Sequence, residues 1–207
     1  MPAPPLTELV RPDRCVLVTQ ECQGGVVGPA AGLPYLADEA RREAIPNIAR
    51  LLRAARAAGA PVIHCLVARR ADGLGSNTNA RLFGAGQRFA ADMSPGSEGA
   101  TLLPELGPAD TDLVLTRYHG VGPMTGTDLD SIIRNIGADT IIGVGVSLNI
   151  AITNFVMDAV NRSYQFVLPR DAVAGYPREY GESVIDNTLA LLATVTTTDD
   201  ILAAWNH

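Results

Sequence analysis

Acidic and basic side chains stand at the ends of apolar runs in this sequence, where they could carry out chemistry. Glu21 follows the first apolar run, and Arg117 closes the third, with His119 two residues later. A carboxylate and a guanidinium facing each other in a cleft can move a proton to or from a substrate, or clamp an anionic one. The residue types alone favour a structural ion pair. His119 could contact a substrate, although a loop histidine more often has no such role.

A second candidate site lies between the fourth apolar run and the helix predicted after it. The sequence there is Gly145-Val146-Ser147-Leu148-Asn149-Ile150-Ala151. The N-terminus of a helix favours negative charge, because its first backbone N–H groups have no partner within the helix. Ser147 could act as a nucleophile, but the sequence places no base beside it. Its ordinary role would be that of a helix N-cap.

The three cysteines, Cys15, Cys22 and Cys65, form no pattern that indicates a disulfide framework or a zinc site. Cys22 directly follows Glu21, and neighbours along a strand point to opposite faces, so we expect its thiol in the core. Cys65 lies inside the second apolar run and is expected to be a small buried hydrophobe. A nucleophilic role for either thiol stays open.

Continuous apolar runs predict the strands that must position these residues. Runs without polar alternation are typical of strands buried on both faces, as in parallel sheets. The predicted strands are Cys15–Thr19, Val62–Val67, Asp112–Arg117, Thr140–Val146, Tyr164–Leu168 and, more weakly, Thr194–Thr197. The predicted helices are Pro46–Ala58, one that opens at Thr127 with Asp130 as capping-box partner, Asn149–Asn161, Glu182–Ala193 and Ile201–Trp205. This alternation predicts an α/β fold, a three-layer α/β/α domain with a mostly parallel sheet of about six strands.

The chain is predicted to form a single domain over residues 1–207. The irregular segment Arg69–Pro108 is predicted to be a lid or an oligomer contact, because long irregular segments in compact domains are usually functional or mobile. A net charge of −6 argues against nucleic acid or a membrane as main partner. No signal-peptide or membrane-spanning stretch is found, which predicts a cytoplasmic protein. No dinucleotide fingerprint or phosphate loop occurs, so no cofactor is predicted.

Two long segments of the chain resemble the isochorismatase-like (cysteine hydrolase) superfamily. Pro46–Cys65 resembles its first long helix and second strand, and Leu113–Gly175 resembles its central half. The matching motifs, weak singly but specific in order and spacing, are Thr127-Asp128-Leu129, Gly145-Val146, Asp158-Ala159 and Asp171-Ala172. The similarity extends from Cys15 to Leu192. It implies the three-layer fold, a small-molecule substrate and a homo-oligomer, either a dimer or a tetramer.

The catalytic positions of this family are all changed. Glu21 stands where the family has aspartate, Arg117 where it has lysine and Ala151 where it has the cysteine nucleophile. Arginine stays protonated and cannot pass a proton as lysine can, and alanine cannot form a thioester. The resemblance also implies a cis peptide after Val146 and an oxyanion hole of backbone N–H groups, here from Val146, Ser147 and Ala151. Some relatives bind a metal through an Asp-x-His pattern, which is absent here, so no metal is predicted.

Three functional hypotheses stay open. The first is an isochorismatase-like hydrolase that acts on a small anionic molecule without a cysteine nucleophile, as isochorismatases proper cleave a vinyl ether with the acidic residue as proton donor. Glu21 would then be the general acid or base, and Arg117 would bind an anionic group. The second is a catalytically inactive member that binds a small ligand or acts as an oligomeric partner. The third is an amidohydrolase whose thiol has moved to Cys22 or Cys65.

Overall fold

Seven parallel strands form one sheet in the computed structural model, which describes residues 4–86 and 91–206. The strands are β1 (Cys15–Gln20), β2 (Val62–Val67), β3 (Leu113–Arg117), β4 (Thr140–Val146), β5 (Gln165–Pro169), β6 (Val173–Ala174) and β7 (Thr194–Thr196). Their order across the sheet is β3-β2-β1-β4-β5-β7, and β6 pairs with the end of β4. The six predicted strands and the α/β architecture are confirmed. The sequence pattern did not indicate β6, which has only two residues.

Helices lie on both faces of this sheet. They are α1 (Leu6–Leu9), α2 (Gly24–Val27), α3 (Pro34–Glu39), α4 (Ile45–Ala58), α5 (Arg81–Gly86), α6 (Leu129–Ile136), α7 (Thr153–Asn161), α8 (Arg178–Asn187) and α9 (Thr198–Trp205). Two π-helical turns, Ala40–Ala44 and Leu148–Ile152, lead into α4 and α7. Within the two described ranges, no helix is both long and apolar enough to cross a membrane.

The longest helix, α4, has the ends that its sequence predicts. Pro46 lies in its first turn, where the missing N–H costs little. Gly59 ends it with a φ of +78°, a conformation that glycine adopts without strain. The apolar face of α4 packs against Leu17 of β1, whereas α6 and α7 bury their apolar faces against the other side of the sheet. The sheet therefore has one apolar core on each face.

The prediction that every strand is buried on both faces is wrong for β3. Leu113 and Val114 are 43% and 46% exposed. The reason is that β3 lies at the edge of the sheet, with a neighbouring strand on one side only. By contrast, β1 and β4 are central and buried along their whole length. Whether the segment Arg69–Pro108 contacts a second copy stays a prediction.

The predicted capping box of Thr127 and Asp130 does not form. The helix begins at Leu129, later than that box requires, and its N-cap Asp128 makes no side-chain cap hydrogen bond. The Asp130 carboxylate instead accepts a hydrogen bond from the Tyr164 hydroxyl at 2.8 Å. The Asp130 carboxylate therefore binds Tyr164, which is distant in sequence, instead of capping its own helix as the local sequence predicted.

Two later helices begin before their predicted starts. α9 starts at Thr198 rather than Ile201, with a capping box formed by Thr197 and Asp200. α8 spans Arg178–Asn187 rather than Glu182–Ala193, and a 3₁₀ turn follows it at Leu189–Leu191. The first turns of both helices are polar, so their apolar periodicity begins only after the helix has started.

A buried chain of hydrogen bonds links β1, β2 and α4 around a histidine. His64 is fully buried, with Nδ1 2.8 Å from Thr19 Oγ1 and Nε2 3.1 Å from Asp112 Oδ2. The Arg56 guanidinium donates to the same Asp112 oxygen at 2.6 Å. Burial lowers the pKa of His64 from its ordinary 6.5, although the hydrogen bond with Asp112 opposes that shift. Folding therefore favours the neutral imidazole.

We expect mild acid to destabilise the protein through His64. The pKa of His64 is lower in the folded protein than in the unfolded chain, so the unfolded chain gains the proton first and stability falls as pH drops below 6.5. In His64→Gln, the midpoint of thermal unfolding should change less between about pH 7.5 and about pH 5.5 than in wild type. The exposed-site variant Asn187→Gln, which changes no titratable group, should keep the wild-type dependence. Parallel curves for wild type and His64→Gln would contradict this role.

Candidate functional site

Glu21 and Arg117 form an ion pair at the carboxyl edge of the sheet. β1 ends at Gln20 directly before Glu21, and β3 ends at Arg117, with β2 between these two strands. Strands two places apart are separated by about 9–10 Å, so two long side chains are needed to meet across β2. Arg117 Nη2 donates a hydrogen bond to Glu21 Oε1. The Arg117 side chain is 4% exposed and that of Glu21 17%.

Two nitrogens of the Arg117 guanidinium have no hydrogen-bond partner among the residues that the structure describes. Arg117 Nε and Nη1 are buried, and no hydrogen-bond acceptor lies within reach among the described residues. A buried N–H of a charged group without an acceptor is unfavourable by about 1–3 kcal/mol or more. An anionic ligand would supply the missing oxygens and match the charge. Arg117 therefore keeps hydrogen-bonding capacity that Glu21 does not use.

The backbone of Glu21 adopts a conformation that is unusual for its residue type. Its φ is +55°, in the left-handed region that residues other than glycine, asparagine and aspartate seldom adopt. The Glu21 N–H donates to the Cys65 carbonyl at 2.9 Å, which anchors this turn to β2. Such conformations cluster at functional sites, where the surrounding structure maintains them.

A cavity of about 210 Å³ opens above this pair. Its lining is mostly apolar and consists of Glu21, Gly25, Val26, Gly32, Leu33, Leu36, Val67–Arg69, Ser76, Asn77, Leu82, Phe83, Met93, Arg117–Val121, Ser147, Ile150 and Ala151. We call this space the main cavity. Apolar surroundings strengthen electrostatic contacts inside it, because they lower the local dielectric constant. A few polar groups in an apolar lining are typical of small-molecule sites.

The irregular segment Arg69–Pro108 supplies part of the lining of the main cavity, and its role as a lid stays a prediction. Phe83, Met93 and Ser76 are among the lining residues that it supplies. Residues 87–90 of the segment lie outside the described part of the chain. The sequence had not singled out Ser76 or Asn77, because an irregular segment has no periodicity that indicates which side chains point inward.

The turn from β4 into α7 forms another part of the cavity wall. The Val146–Ser147 peptide is cis, as the family resemblance implied. Gly145 is required before it, since a Cβ there would lie 2.2 Å from the Gln20 carbonyl oxygen. Val146 is buried, whereas Ser147 and Ala151 line the cavity. The structure thus brings Ser147, Ala151 and His119 to the same cavity as Glu21 and Arg117, while their functional roles stay predictions.

The predicted N-cap role of Ser147 is only half correct. Ser147 occupies the N-cap position of the π-helical turn Leu148–Ile152, but its side chain makes no cap hydrogen bond there. Its carbonyl oxygen accepts hydrogen bonds from the N–H groups of Ile150 and Ile152. The predicted helix over Asn149–Asn161 is therefore this turn followed by α7.

The thiols do not line the main cavity, although Cys65 borders the neighbouring hollow beside Arg117. Cys22 and Cys65 are buried, as predicted, and the lining defined by the described residues includes neither. Burial raises the pKa of each thiol to about 12. The nucleophilic thiolate is therefore scarce at neutral pH.

Neither a metal ligand set nor a lysine is found near the site. The described residues contain no group of three or more His, Cys, Asp or Glu side chains that could hold a metal ion. All 16 basic residues of the chain are arginines, so no side-chain amine can take the place of the family's lysine. His119 is exposed at the cavity wall, and its ring lies against Gly126.

Comparison with known proteins identifies the family. Residues 15–200 match the model of the isochorismatase domain. An uncharacterized isochorismatase family protein of Escherichia coli O157:H7, YecD, is 29% identical over 197 residues, which are 91% of this chain and 94% of that protein. N-carbamoylsarcosine amidase from an Arthrobacter species is 26% identical over 129 residues, which are 62% of this chain and 48% of that protein.

A solved structure agrees with this assignment. The isochorismatase family protein from Desulfovibrio vulgaris subsp. vulgaris str. Hildenborough superposes with a TM-score of 0.79 at 29% identity, over 91% of this chain and 98% of that one. The fold, the sequence match and the cavity at the carboxyl edge of the sheet therefore lead to one conclusion. The chain belongs to the isochorismatase family of hydrolases.

Proposed function

We propose that this protein hydrolyses a small anionic molecule without a cysteine nucleophile. The observation that carries the proposal is the buried Arg117 guanidinium, which pairs with Glu21 through one nitrogen and has two others without a partner in the described ranges. Arginine is charged at every physiological pH, so these N–H groups suit a carboxylate or another oxyanion. Arg117 would hold the anionic group of the substrate in the main cavity.

Glu21 supplies a carboxyl group that can transfer a proton to a bound substrate. It lies beside the anion-binding guanidinium, and its side chain is partly exposed to the main cavity. A carboxyl group so placed can act as general acid or base, for example by protonating a vinyl ether before water adds to it. Backbone N–H groups near Val146, Ser147 and Ala151 would stabilise negative charge that develops during the reaction.

An amidohydrolase with a relocated thiol is the less favoured alternative. One relative is named an amidase, but Ala151 offers no thiol. Cys22 and Cys65 are buried with pKa values of about 12, which suppresses the thiolate that such a reaction needs.

An inactive, ligand-binding protein is the second candidate, and Ala151 favours it. The conformation of Glu21 argues for the hydrolase instead. A φ of +55° is unfavourable for glutamate. If this residue had no function, the protein would be more stable with glycine at position 21. Both candidates use Arg117 as the anion-binding residue, and they differ in whether Glu21 acts on the ligand.

The test is pyruvate release from isochorismate by the purified protein, before and after treatment with iodoacetamide. We expect release that alkylation does not affect, because the thiols of Cys22 and Cys65 are buried and protonated. Release that disappears after alkylation would favour the relocated thiol. No release from isochorismate, or from a wider set of carboxylate-bearing ethers and esters, would favour the inactive binder.

A further inference from the structure

A second concave surface adjoins the main cavity. This outer groove has a volume of about 500 Å³ and is lined by Gly75–Asn77, His119–Gly122, Thr125, Gly126 and Asn154. Five of these residues, at positions 76, 77 and 119–121, also line the main cavity. The two spaces therefore meet along this shared wall.

The main cavity alone is small for a ligand site. Its volume of about 210 Å³ lies below the roughly 300–1,000 Å³ of typical small-molecule pockets. A ligand anchored at Arg117 would therefore extend into a neighbouring space. The hollow on the other side of Arg117 is lined in part by Asp128, whose carboxylate repels an anionic ligand. The outer groove has no such charge.

Among the described residues, the outer groove combines apolar surface with the polar side chains of Ser76, Asn77, His119, Thr125 and Asn154, without a carboxylate or a guanidinium. Ser76 Oγ is buried and has no hydrogen-bond partner among the described residues. Two other polar side chains are already occupied, since Asn77 Oδ1 accepts from the Gly120 N–H at 2.7 Å and the Thr125 hydroxyl donates to Asp158 at 2.7 Å. Ser76 and Asn154 are therefore the side chains that we assign to a ligand.

Two glycines keep the polar side chains of the groove in place. A Cβ at Gly122 would lie 1.9 Å from Asn154 Oδ1. A Cβ at Gly126, whose φ is +78°, would lie 2.8 Å from His119 Cε1. A side chain at either position would displace Asn154 or His119, so the two glycines leave room for these side chains at the groove.

We propose that the outer groove binds a neutral, hydrogen-bonding extension of the anionic ligand. The ligand class is a carboxylate joined through an apolar body to an amide or hydroxyl substituent. Arg117 binds the carboxylate, the apolar lining of the main cavity packs against the body, and Ser76 and Asn154 bind the substituent. This inference rests on the anion site of the proposed function, and it adds a second recognition site to it.

The test is calorimetric binding of matched probes to the full-length protein. Meta- and para-acetamidobenzoate are compared with meta- and para-isobutylbenzoate, which have the same number of heavy atoms but no hydrogen-bonding group, and with benzoate. We expect the better acetamido isomer to bind about tenfold more tightly than its isobutyl counterpart, the effect of one or two hydrogen bonds. Asn154→Leu and Ser76→Ala should each remove this preference, and Asn154→Leu, at a position that does not line the main cavity, should leave benzoate affinity unchanged.

A control variant and two kinds of result distinguish a failure of the outer groove from a failure of the anion site at Arg117. Asn187→Leu, an exposed position on α8, should keep the wild-type preference. Benzoate binding that depends on Arg117, without any preference for the acetamido probes, would overturn the groove alone. A preference that survives both Asn154→Leu and Ser76→Ala would overturn it as well. The absence of binding by every probe would overturn both the groove and the anion site.

Discussion

Replacing Glu21 with glutamine should remove turnover while the ligand still binds. Glutamine has the shape of glutamate and its carbonyl oxygen can still accept a hydrogen bond from Arg117, but it cannot transfer a proton. We expect kcat to fall about 10²–10⁴-fold, the usual contribution of a positioned general acid or base. The dissociation constant should change little, because Arg117 and the apolar lining are retained. Steady-state pyruvate release and calorimetric binding measure the two effects.

Two further variants sharpen this test. Glu179→Gln is the matched control, since Glu179 is exposed on α8 and does not line the main cavity. Glu21→Asp keeps the acid but withdraws the carboxyl group by one methylene, so we expect a partial loss of kcat. An undiminished kcat in Glu21→Gln would show that Glu21 is not the proton-transferring group.

Replacing Arg117 with methionine should abolish anion binding. Methionine fills the space of the arginine stem but offers no donor, so the anionic group of a ligand loses its charged partner. Removing one member of a buried, hydrogen-bonded charge pair typically weakens binding by about 2–5 kcal/mol, which is at least about 30-fold in Kd. Calorimetric titration with benzoate checks this. Affinity that Arg117→Met retains would overturn the anion site.

The same substitution should also destabilise the fold, and a double variant separates the two effects. Arg117→Met leaves the Glu21 carboxylate without its partner, which we expect to lower the free energy of unfolding by about 3 kcal/mol, the low end for broken buried pairs, because Glu21 is 17% exposed. Glu21→Gln/Arg117→Met should regain part of that stability but none of the affinity. Arg70→Met, at an exposed arginine that pairs with Asp72, should change neither.

Together the two substitutions distinguish the functional hypotheses. For the hydrolase, Glu21→Gln lowers kcat and Arg117→Met weakens binding. For an inactive binder, wild type has no turnover, and only Arg117→Met has a large effect. For a relocated thiol, turnover persists in Glu21→Gln and disappears on alkylation of a cysteine.

The sequence by itself determined the elements whose signals are local. β1, β2 and β4 are continuous apolar runs because they are buried on both faces. Pro46 and Gly59 mark the ends of α4 because their backbone preferences act within one turn. The predicted ends of β1 and β3 also placed Glu21 and Arg117 at the carboxyl edge of a parallel sheet, although the two residues are 96 positions apart in the chain.

Only the tertiary structure decided the features that depend on neighbours distant in sequence. β3 is exposed because of its place in the strand order, which an apolar run does not encode. Asp130 bonds to Tyr164 rather than capping its own helix, because packing brings that hydroxyl within reach. Two nitrogens of Arg117 lack hydrogen-bond partners within the described part of the chain, because the fold buries them without supplying acceptors. Burial and hydrogen-bond satisfaction are properties of the assembled fold. The sequence alone therefore could not show that two nitrogens of Arg117 lack acceptors among the described residues.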